Sequence, residues 1–287
     1  RISVEVDLAS EYRYRNPIVD SKTLVIAISQ SGETADTLAA LREAKRLGAM
    51  TAAICNVRGS TLTREADFTL FTAAGPEIGV ASTKAFTTQI LVLMMLGQFA
   101  ASTRGPKSSA FAVQFFLRIP HLIEVALATA DAVAKVMKET VDSKGFLFIA
   151  RGKLFPIALE GALKMKEISY IHAEGYPAGE LKHGPIAMVE PSMTVVVVAP
   201  RDALYDKTIS NLQEVKARGG KIVAIGNTDD AQLKKLSDHF LGLPFSGDWT
   251  DPLLASIPMQ LLAYHAALLK GTDVDKPRNL AKSVTVE

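Results

Sequence analysis

The chain has 287 residues, 48% of them apolar and 22% charged, with a formal net charge of +2. This composition is typical of a globular protein, argues against disorder, and gives no electrostatic case for a nucleic-acid partner. The single cysteine, Cys55, excludes an internal disulfide and fits a reducing, cytoplasmic compartment. The longest apolar helical segment, residues 90–101, is far short of the roughly 20 residues that a membrane span needs, so no membrane contact is expected.

An internal repeat gives the clearest signal of organisation. Residues 42–56 align with residues 213–227, and the same gap-free offset of 171 residues pairs 23–28 with 194–199. Because the offset persists along the chain, the sequence predicts two copies of one α/β unit.

Each copy is predicted to run strand, helix, strand, short helix, strand, long helix. The predicted elements are residues 24–28, 35–47, 51–57, 61–66, 68–72 and 83–99 in the first copy, and 194–199, 207–218, 221–226, 231–237, 240–243 and 253–270 in the second. Residues 114–139 between the copies have helical spacing. Continuous apolar strands that alternate with helices indicate parallel sheets covered on both faces.

The second copy is preceded by a further predicted strand at 145–150 and a helix at 156–171. The offset of the repeat places their counterparts before residue 1, so the first domain is expected to be incomplete at its N-terminus. The predicted boundaries are 1–108 for the first domain, 109–272 for the second and 273–287 for a C-terminal tail.

A polar loop, SQSGET at residues 29–34, joins the first strand of copy one to its helix. Backbone N–H groups and the positive end of a helix point at such a loop, which favours binding of a phosphate group. Capping of the helix by Ser31 and Thr34 is the alternative. The second copy has PRDALY at 200–205 instead. This divergence favours ligand binding, because capping alone would need similar residues in both copies.

A second polar cluster, GVASTK at residues 79–84, precedes the long helix of copy one. Both clusters lie at strand-to-helix junctions, the edge where open parallel sheets bind ligands. A role in the same pocket and N-capping by Ser82 are equally open at this point.

In the second copy, Glu160, Lys164 and Glu167 recur at helical spacing and share one helix face. A solvated salt-bridge face is one interpretation. The other follows from the loop at 175–185, which is dense in glycine, proline and ionisable residues. Beside such a loop, a half-buried glutamate next to a lysine can act as general base, and a histidine can shuttle protons.

Four residues in and near this loop have side chains that metals favour: His172, Glu174, Glu180 and His183. Their spacing matches neither a His-Glu-x-x-His motif nor any Cys/His pattern. No metal is therefore expected.

The C-terminal tail carries Lys282, the only lysine of the last eleven residues. The alternation of Leu280, Val284 and Val286 predicts that the tail packs on a surface rather than hanging free.

Together these motifs and the tail sequence PRNLAKSVTVE at 277–287 closely resemble the isomerase half of the glutamine–fructose-6-phosphate aminotransferase family, over essentially the whole chain. The resemblance implies an α/β fold of two tandem flavodoxin-like, three-layer αβα SIS (sugar isomerase) domains with parallel sheets. It implies conversion of fructose 6-phosphate and ammonia to glucosamine 6-phosphate, without a cofactor, in a homodimer with shared active sites. In the full-length protein, an N-terminal glutaminase domain is expected to release the ammonia.

The resemblance also implies roles for individual residues. The residues expected at the substrate are Ser29, Gln30, Ser31 and Thr34 for the phosphate, and Val80, Ala81, Ser82 and Ala281 for the sugar. Lys282 resembles the lysine that forms a Schiff base with the open-chain ketose, a covalent strategy suited to a carbonyl substrate. Glu167 would move a proton between C1 and C2, and Lys164 would assist at the hydroxyls. His183 resembles the acid/base that opens the sugar ring in the partner subunit's site.

Two other functions stay open: a related SIS deglycase or ketose/aldose isomerase, and a phosphosugar-sensing regulatory module. The tail argues against the first, and a sensor would need the loop at 29–34 but none of Glu167, Lys164 and Lys282. The sequence has no Gly-x-Gly-x-x-Gly or P-loop motif, which argues against a nucleotide-binding protein.

Overall fold

The structure is a computed structural model, and it describes residues 2–103, 109–247 and 249–285. Internal contacts divide the chain into two compact units, Arg1–Ser109 with Asn279–Glu287, and Ala110–Arg278. The C-terminal segment from Asn279 onward thus belongs to the first unit.

The first unit is built on a parallel sheet. Its described elements are α1 (Ala9–Tyr12), β1 (Leu24–Ser29), α2 (Ala35–Arg46), β2 (Met50–Cys55), α3 (Thr61–Glu65), β3 (Phe68–Phe71) and α4 (Lys84–Ser102). The strands run in the order β1-β2-β3, and both pairs are parallel. Apolar positions three residues apart on α2 bring Leu38 and Leu41 into one buried cluster with Ala53 of β2 and Leu62 of α3.

The second unit carries the larger sheet. The elements from its leading helix onward are α5 (Ser109–Leu127), α6 (Ala130–Thr140), β4 (Gly145–Ala150), α7 (Phe155–Ser169), β5 (Ala173–Pro177), β6 (Met193–Ala199), α8 (Tyr205–Lys216), β7 (Lys221–Asn227), α9 (Ala231–Leu236), β8 (His239–Leu243) and α10 (Asp251–Lys270). The strand order is β5-β4-β6-β7-β8 and every pair is parallel. This order, numbered from the first strand, is the 2-1-3-4-5 order of flavodoxin-like folds.

Both faces of the larger sheet are covered. Leu147 of β4 lies in a buried cluster with Leu212 of α8 and Leu233 of α9. The next residue along the strand, Phe148, instead meets α7 at Gly161, where an added Cβ would lie 2.9 Å from the phenyl ring. Because successive side chains of a strand point to opposite faces, α8 and α9 form one outer layer and α7 belongs to the other. The predicted three-layer architecture is confirmed for this unit.

The register of the strands confirms the internal repeat. In the first unit Ala53 of β2 lies opposite Thr69 of β3, and in the second Ala224 of β7 lies opposite Phe240 of β8. Adding the 171-residue offset of the sequence repeat to the numbers of Ala53 and Thr69 gives Ala224 and Phe240.

A carboxylate repeats the same contact in each unit. Asp67 Oδ2 accepts the N–H of Thr51 at 2.8 Å, and its counterpart Asp238 accepts the N–H of Ile222 at 2.7 Å. Asp67 also accepts the hydroxyl of Thr51 at 2.7 Å, a bond that isoleucine cannot supply. Hydrogen bonds from the Thr51 hydroxyl and then from Lys45 lower the pKa of Asp67 to about 2.

The chain after α7 departs from the prediction. The helix ends at Ser169, where Tyr170 adopts a left-handed conformation with φ of 62°, so the predicted end at residue 171 is too late. His172 and Glu174 therefore do not lie on the helix, and residues from Ala173 form the unpredicted edge strand β5. The helical stretch predicted at 114–139 is two helices, α5 and α6, and the short helix α1 is not predicted at all.

Two helices in the described part of the chain are long and apolar enough to cross a bilayer, α4 with 19 residues and α10 with 20. The prediction that no apolar helix approaches this length is wrong. The apolar segment at 90–101 is only part of α4, which begins at Lys84. Most of α10 is buried, as in a core helix, whereas only 11% of the apolar window of α4 is buried.

Candidate functional site

The polar loop that follows β1 folds into a tight turn. Ser29, at the end of the strand, is buried, and its Oγ accepts the N–H of Gly32 at 2.9 Å. Gly32 has a φ of +69°, and a Cβ there would overlap Ser60 Oγ and lie 2.9 Å from Cys55 Sγ. Only glycine fits this position, because other residues resist the left-handed conformation and there is no room for a side chain.

The loop does not cap its helix with its own hydroxyls. Thr34 is the N-cap residue of α2, but its side chain makes no capping hydrogen bond. Ser31 Oγ accepts the N–H of Glu33 at 3.2 Å, which lies before the helix begins. The first helical N–H, that of Ala35, instead donates to the carbonyl oxygen of Val284 in the C-terminal tail at 3.1 Å. The capping alternative is therefore wrong for the Thr34 side chain.

Polar contacts anchor the tail to the same unit. Ser283 Oγ lies 3.0 Å from Ser31 Oγ, next to the carbonyl contact of Val284. The prediction that the tail packs on a surface is confirmed, but backbone and hydroxyl groups make the contacts. Leu280 and Val284, whose alternation suggested the packing, are 46% and 56% exposed. Val286, the third residue of that pattern, lies outside the described residues.

Lys282 is held by two acceptors from the segment before α4. Its Nζ lies 3.1 Å from Glu77 Oε2 and donates to the carbonyl oxygen of Gly79 at 2.7 Å. The lysine side chain is 27% exposed, while that of Glu77 is only 5% exposed. The tail lysine therefore lies at the start of the second polar cluster, within the unit that carries the loop at 29–34.

Glu77 is a residue that the sequence prediction missed. Its Oε1 accepts the N–H of Thr83 at 2.8 Å, the hydroxyl of Thr83 at 3.2 Å and the N–H of Ala85 at 3.4 Å. Burial acts to raise the pKa of Glu77, but the Thr83 hydrogen bond and the Lys282 ion pair outweigh it, and the net shift is downward. The carboxylate is therefore ionised at neutral pH. The available signal was a lone acid in the sequence GPEIG, directly before the polar cluster.

The residues predicted to line the sugar follow in the chain. Ala81 is buried, Val80 and Ser82 are half-buried, and Ala281, next to Lys282 on the tail, is exposed. Ser82 is not the N-cap of α4, since the helix begins at Lys84 and Glu77 accepts its first amides. N-capping by Ser82 is thus excluded as its function.

In the second unit, α7 is fixed by close packing. Gly161 allows the helix to approach the sheet and α10 so closely that an added Cβ would lie 2.8 Å from Met259 Sδ. Burial of this helix carries Lys164, four residues before Ile168, into the protein with only 4% exposure. A lysine at that depth needs partners, because an isolated buried ammonium is strongly destabilising.

Two glutamates on the same helix supply those partners. Lys164 Nζ lies 2.5 Å from Glu167 Oε2 and 3.5 Å from Glu160 Oε1, as the spacing along the helix predicts. Burial raises the pKa of Glu160, although the nearby ammonium acts in the opposite direction. The Glu167 side chain is 23% exposed, against 10% for Glu160. The solvated salt-bridge interpretation is wrong, and Glu167 is the carboxylate of this cluster with more access to a ligand.

His183 lies apart from this cluster in the chain. It ends the 3-10 helix Ala178–His183 and is exposed, followed by Gly184 with a φ of 145°.

His172 lies 3.4 Å from Glu174, but the described residues contain no group of three or more side chains suited to hold a metal ion.

The predicted site residues thus fall into two sets, one in each unit. The set in the first unit is Ser29, Gln30, Ser31, Thr34, Val80, Ala81, Ser82, Ala281 and Lys282. The set in the second unit is Lys164, Glu167 and His183. The first set offers hydroxyl, amide and ammonium donors, suited to an anionic carbonyl compound. The second offers a carboxylate paired with a buried lysine, suited to proton transfer.

The sequence model of the SIS domain family matches residues 1–98 and 141–270. Among curated proteins, the glutamine–fructose-6-phosphate aminotransferase (isomerizing) of Chlorobaculum tepidum is 53% identical over 291 aligned positions, covering 100% of this chain and 47% of that protein. The chain spans about half the length of the curated relatives it matches.

Solved structures give the same picture. The C-terminal domain of glucosamine-fructose-6-phosphate aminotransferase from Francisella tularensis superposes with a TM-score of 0.89 at 45% identity, covering 95% of this chain and 78% of that one. A glucosamine-6-phosphate deaminase from Thermotoga maritima superposes with a TM-score of 0.79 at 25% identity, covering 96% of this chain and 80% of that one.

Proposed function

The chain belongs to the SIS domain family and, within it, to the isomerase domains of glutamine–fructose-6-phosphate aminotransferases, and from this we propose that it converts fructose 6-phosphate and ammonia to glucosamine 6-phosphate. The ammonia is proposed to come from an N-terminal glutaminase domain of the full-length protein. A cytoplasmic location is proposed, because the single cysteine is a free, buried thiol that suits a reducing compartment.

One observation carries the proposal: the tail brings a lysine to the unit that holds the polar loop. Lys282 Nζ bonds to the carbonyl of Gly79, and the neighbouring Ser283 reaches Ser31 of the loop. A lysine amine close to a phosphate-binding loop suits a phosphorylated ketose, because the amine can attack the carbonyl while the loop holds the phosphate. Ser29, Gln30, Ser31 and Thr34, with the amides of the loop, are the proposed phosphate ligands.

The proposed chemistry begins at C2 of the open-chain sugar. Lys282 attacks C2, water leaves, and ammonia then replaces the lysine to leave an imine nitrogen on C2. Glu167 takes a proton from C1 and returns one to C2, while the C1 hydroxyl loses its proton and the imine nitrogen gains one, so that C1 becomes an aldehyde and C2 carries an amine. The pairing of Glu167 with Lys164 supports this role, since the contact fixes the orientation of the carboxylate that moves the proton. Lys164 is proposed to assist at the sugar hydroxyls.

A homodimer with shared active sites is part of the proposal. The helix α4 leaves apolar side chains uncovered within the chain, including Met95 and Phe99, which are 51% and 67% exposed one helical turn apart. The exposure of His183 suits a residue that opens the ring of a sugar in the partner subunit's site. Sedimentation of a monomer at micromolar concentration would contradict this part of the proposal.

Deamination of glucosamine 6-phosphate is the second candidate, favoured by the likeness to the Thermotoga maritima deaminase. The two functions share the proton transfer between C1 and C2 but run in opposite directions. They are separated by incubating the chain with glucosamine 6-phosphate and measuring ammonia. Release of ammonia much faster than synthesis from ammonium salts and fructose 6-phosphate would favour the deaminase.

The direct test of the proposal is trapping with borohydride. We expect fructose 6-phosphate followed by borohydride to leave a reduced adduct on Lys282, identified by peptide mapping. Lys276→Arg, which alters another lysine near the C-terminus, is the matched control and should trap normally. An adduct on Lys164 alone, or none at all, would remove Lys282 as the Schiff-base lysine.

A further inference from the structure

Two acceptors surround the Nζ of Lys282, Glu77 Oε2 at 3.1 Å and the carbonyl oxygen of Gly79 at 2.7 Å. These two acceptors are named the lysine clamp. Resting on the function proposed above, we infer that Glu77 is a positioning residue of the reaction. It orients the amine of Lys282 for attack on the ketose and pairs with the cation of the Schiff base.

The orientation follows from the geometry of a lysine amine. The ammonium of Lys282, which pairs with Glu77, first gives one proton to solvent. The resulting neutral amine has two N–H groups and one lone pair in a tetrahedral arrangement. When both N–H groups donate to the two acceptors of the lysine clamp, only one direction remains for the lone pair. The orientation of the nucleophile is thereby fixed. The side chain of Lys282 therefore loses less rotational freedom when it reacts than an unrestrained lysine side chain would.

The clamp itself is rigid. The side chain of Glu77 is 5% exposed, and its second oxygen is bound by the N–H groups of Thr83 and Ala85 at the start of α4. One of the two acceptors, Glu77, is therefore fixed to the start of a 19-residue helix. The other acceptor, the carbonyl oxygen of Gly79, belongs to the backbone, so no side-chain rotation changes its position.

The charge of Glu77 acts after the attack. A bond forms between Nζ and C2, and the carbonyl oxygen leaves as water with one proton from Nζ and one from solvent. The nitrogen is left as a cationic iminium with a single N–H group. A carboxylate beside it stabilises this cation and accepts that N–H, whereas a neutral amide supplies no compensating charge.

Glu77→Gln separates the two functions of the carboxylate. The amide oxygen can still accept the N–H groups of Thr83 and Ala85, but its NH2 group then faces Lys282, which is also a donor. We expect the rate of borohydride trapping at Lys282 to fall roughly 10- to 100-fold. Binding of fructose 6-phosphate, measured by calorimetry with borohydride absent, and the melting temperature should change little, which a merely structural role would not produce.

Thr83→Val is the matched control. It removes the hydroxyl bond to the other oxygen of Glu77, at 3.2 Å, and leaves the lysine clamp intact. Its trapping rate should equal that of the wild-type chain. If Glu77→Gln fails to fold, Glu77→Asp is measured instead, because it keeps the charge but withdraws it by one methylene group.

The outcomes distinguish the inference from the function beneath it. A wild-type trapping rate in whichever Glu77 variant folds would overturn the positioning function. Absence of any Lys282 adduct in the wild-type chain would instead overturn the proposed Schiff base, whatever the variants do.

Discussion

The loops that follow β1 and β6 occupy matching positions in the two units, yet different kinds of contact stabilise them. In the first unit, glycine and serine form a turn, and the C-terminal tail binds to it through Ser31 and Ala35. In the second, Arg201 forms an ion pair with Asp229 at 2.8 Å, and Asp202 Oδ1 accepts the N–H of Leu204. The second loop closes on charged side chains of its own unit.

The shared strand register shows that the difference between these loops is not required by the fold. β2 and β3 pair as β7 and β8 do, position for position along the repeat. In the second unit, α7 carries Lys164 buried between two glutamates. We infer that the two copies have different functions, substrate anchoring in the first unit and proton transfer in the second.

The largest effect that would test this division is expected at Glu167. Glu167→Gln keeps the shape of the side chain but removes the base, so proton exchange at C1 should slow by roughly 100- to 10,000-fold. The measurement is deuterium incorporation from heavy water, followed by nuclear magnetic resonance. Binding of fructose 6-phosphate should persist.

Glu214→Gln is the matched control for that variant. Glu214 pairs with Lys182 at 2.8 Å on the same unit but is outside the Lys164 cluster, and its loss should leave the exchange rate unchanged. Undiminished exchange in Glu167→Gln would show that the first unit, or another residue, carries the base.

A smaller effect is expected from substitutions at matched positions of the two loops. Ser31→Ala removes a hydroxyl from the proposed phosphate site and should weaken fructose 6-phosphate binding by roughly 10- to 150-fold, since hydrogen bonds to charged groups contribute about 1.5–3 kcal/mol. Asp202→Ala truncates the residue at the equivalent position of the second unit and should leave binding unaltered. Titration calorimetry compares them, and equal losses in the two variants would contradict anchoring by the first unit alone.

The smallest effect concerns Asp67, where the units differ by one hydroxyl. Thr51→Val makes the first unit resemble the second, which has Ile222 there, and should bring the pKa of Asp67 back from about 2 toward 3.8. A pKa below that of the unfolded chain means that the contact stabilises the protein above pH 3.8, and that this stabilisation is lost as pH falls through about 2. The urea midpoints of the wild type and the variant should therefore differ at pH 6 and converge as the pH approaches about 2.

Thr194→Val is the control for this pH dependence. The hydroxyl of Thr194 is bonded to Ser143 at 2.7 Å, so no carboxylate is involved. Its removal should lower the urea midpoint by an amount that does not depend on pH. A pH-independent difference for Thr51→Val as well would contradict the link to Asp67.

Local patterns in the sequence predicted much of the fold and one part of the site. The spacing of Glu160, Lys164 and Glu167 placed three charges on one helix face, and the structure joins them through the lysine. Continuous apolar runs that alternate with helices predicted the parallel strands, and the 171-residue repeat predicted two copies of one α/β unit. These features depend on residues that are close in the chain or on periodicity, and both are visible in a sequence.

Features that depend on tertiary contact were not predictable in this way. Strand β5 was missed because Gly175 and Pro177 read as a turn, although pairing with β4 makes the segment a strand. Glu77 was missed because its partner, Lys282, is 205 residues away. The tail was expected to pack through apolar side chains, but the carbonyl of Val284 binds the start of α2, and a backbone contact leaves no trace in the sequence.

The two oxygens of Glu77 serve different partners, Oε1 the start of α4 and Oε2 the tail lysine. A homologue without the lysine needs only the first of these contacts, which glutamine can supply. A glutamate at this position should therefore be inherited together with the lysine of the tail. Its replacement by a neutral residue would identify, in newly sequenced genomes, members of the family that bind sugar phosphates without forming a covalent intermediate.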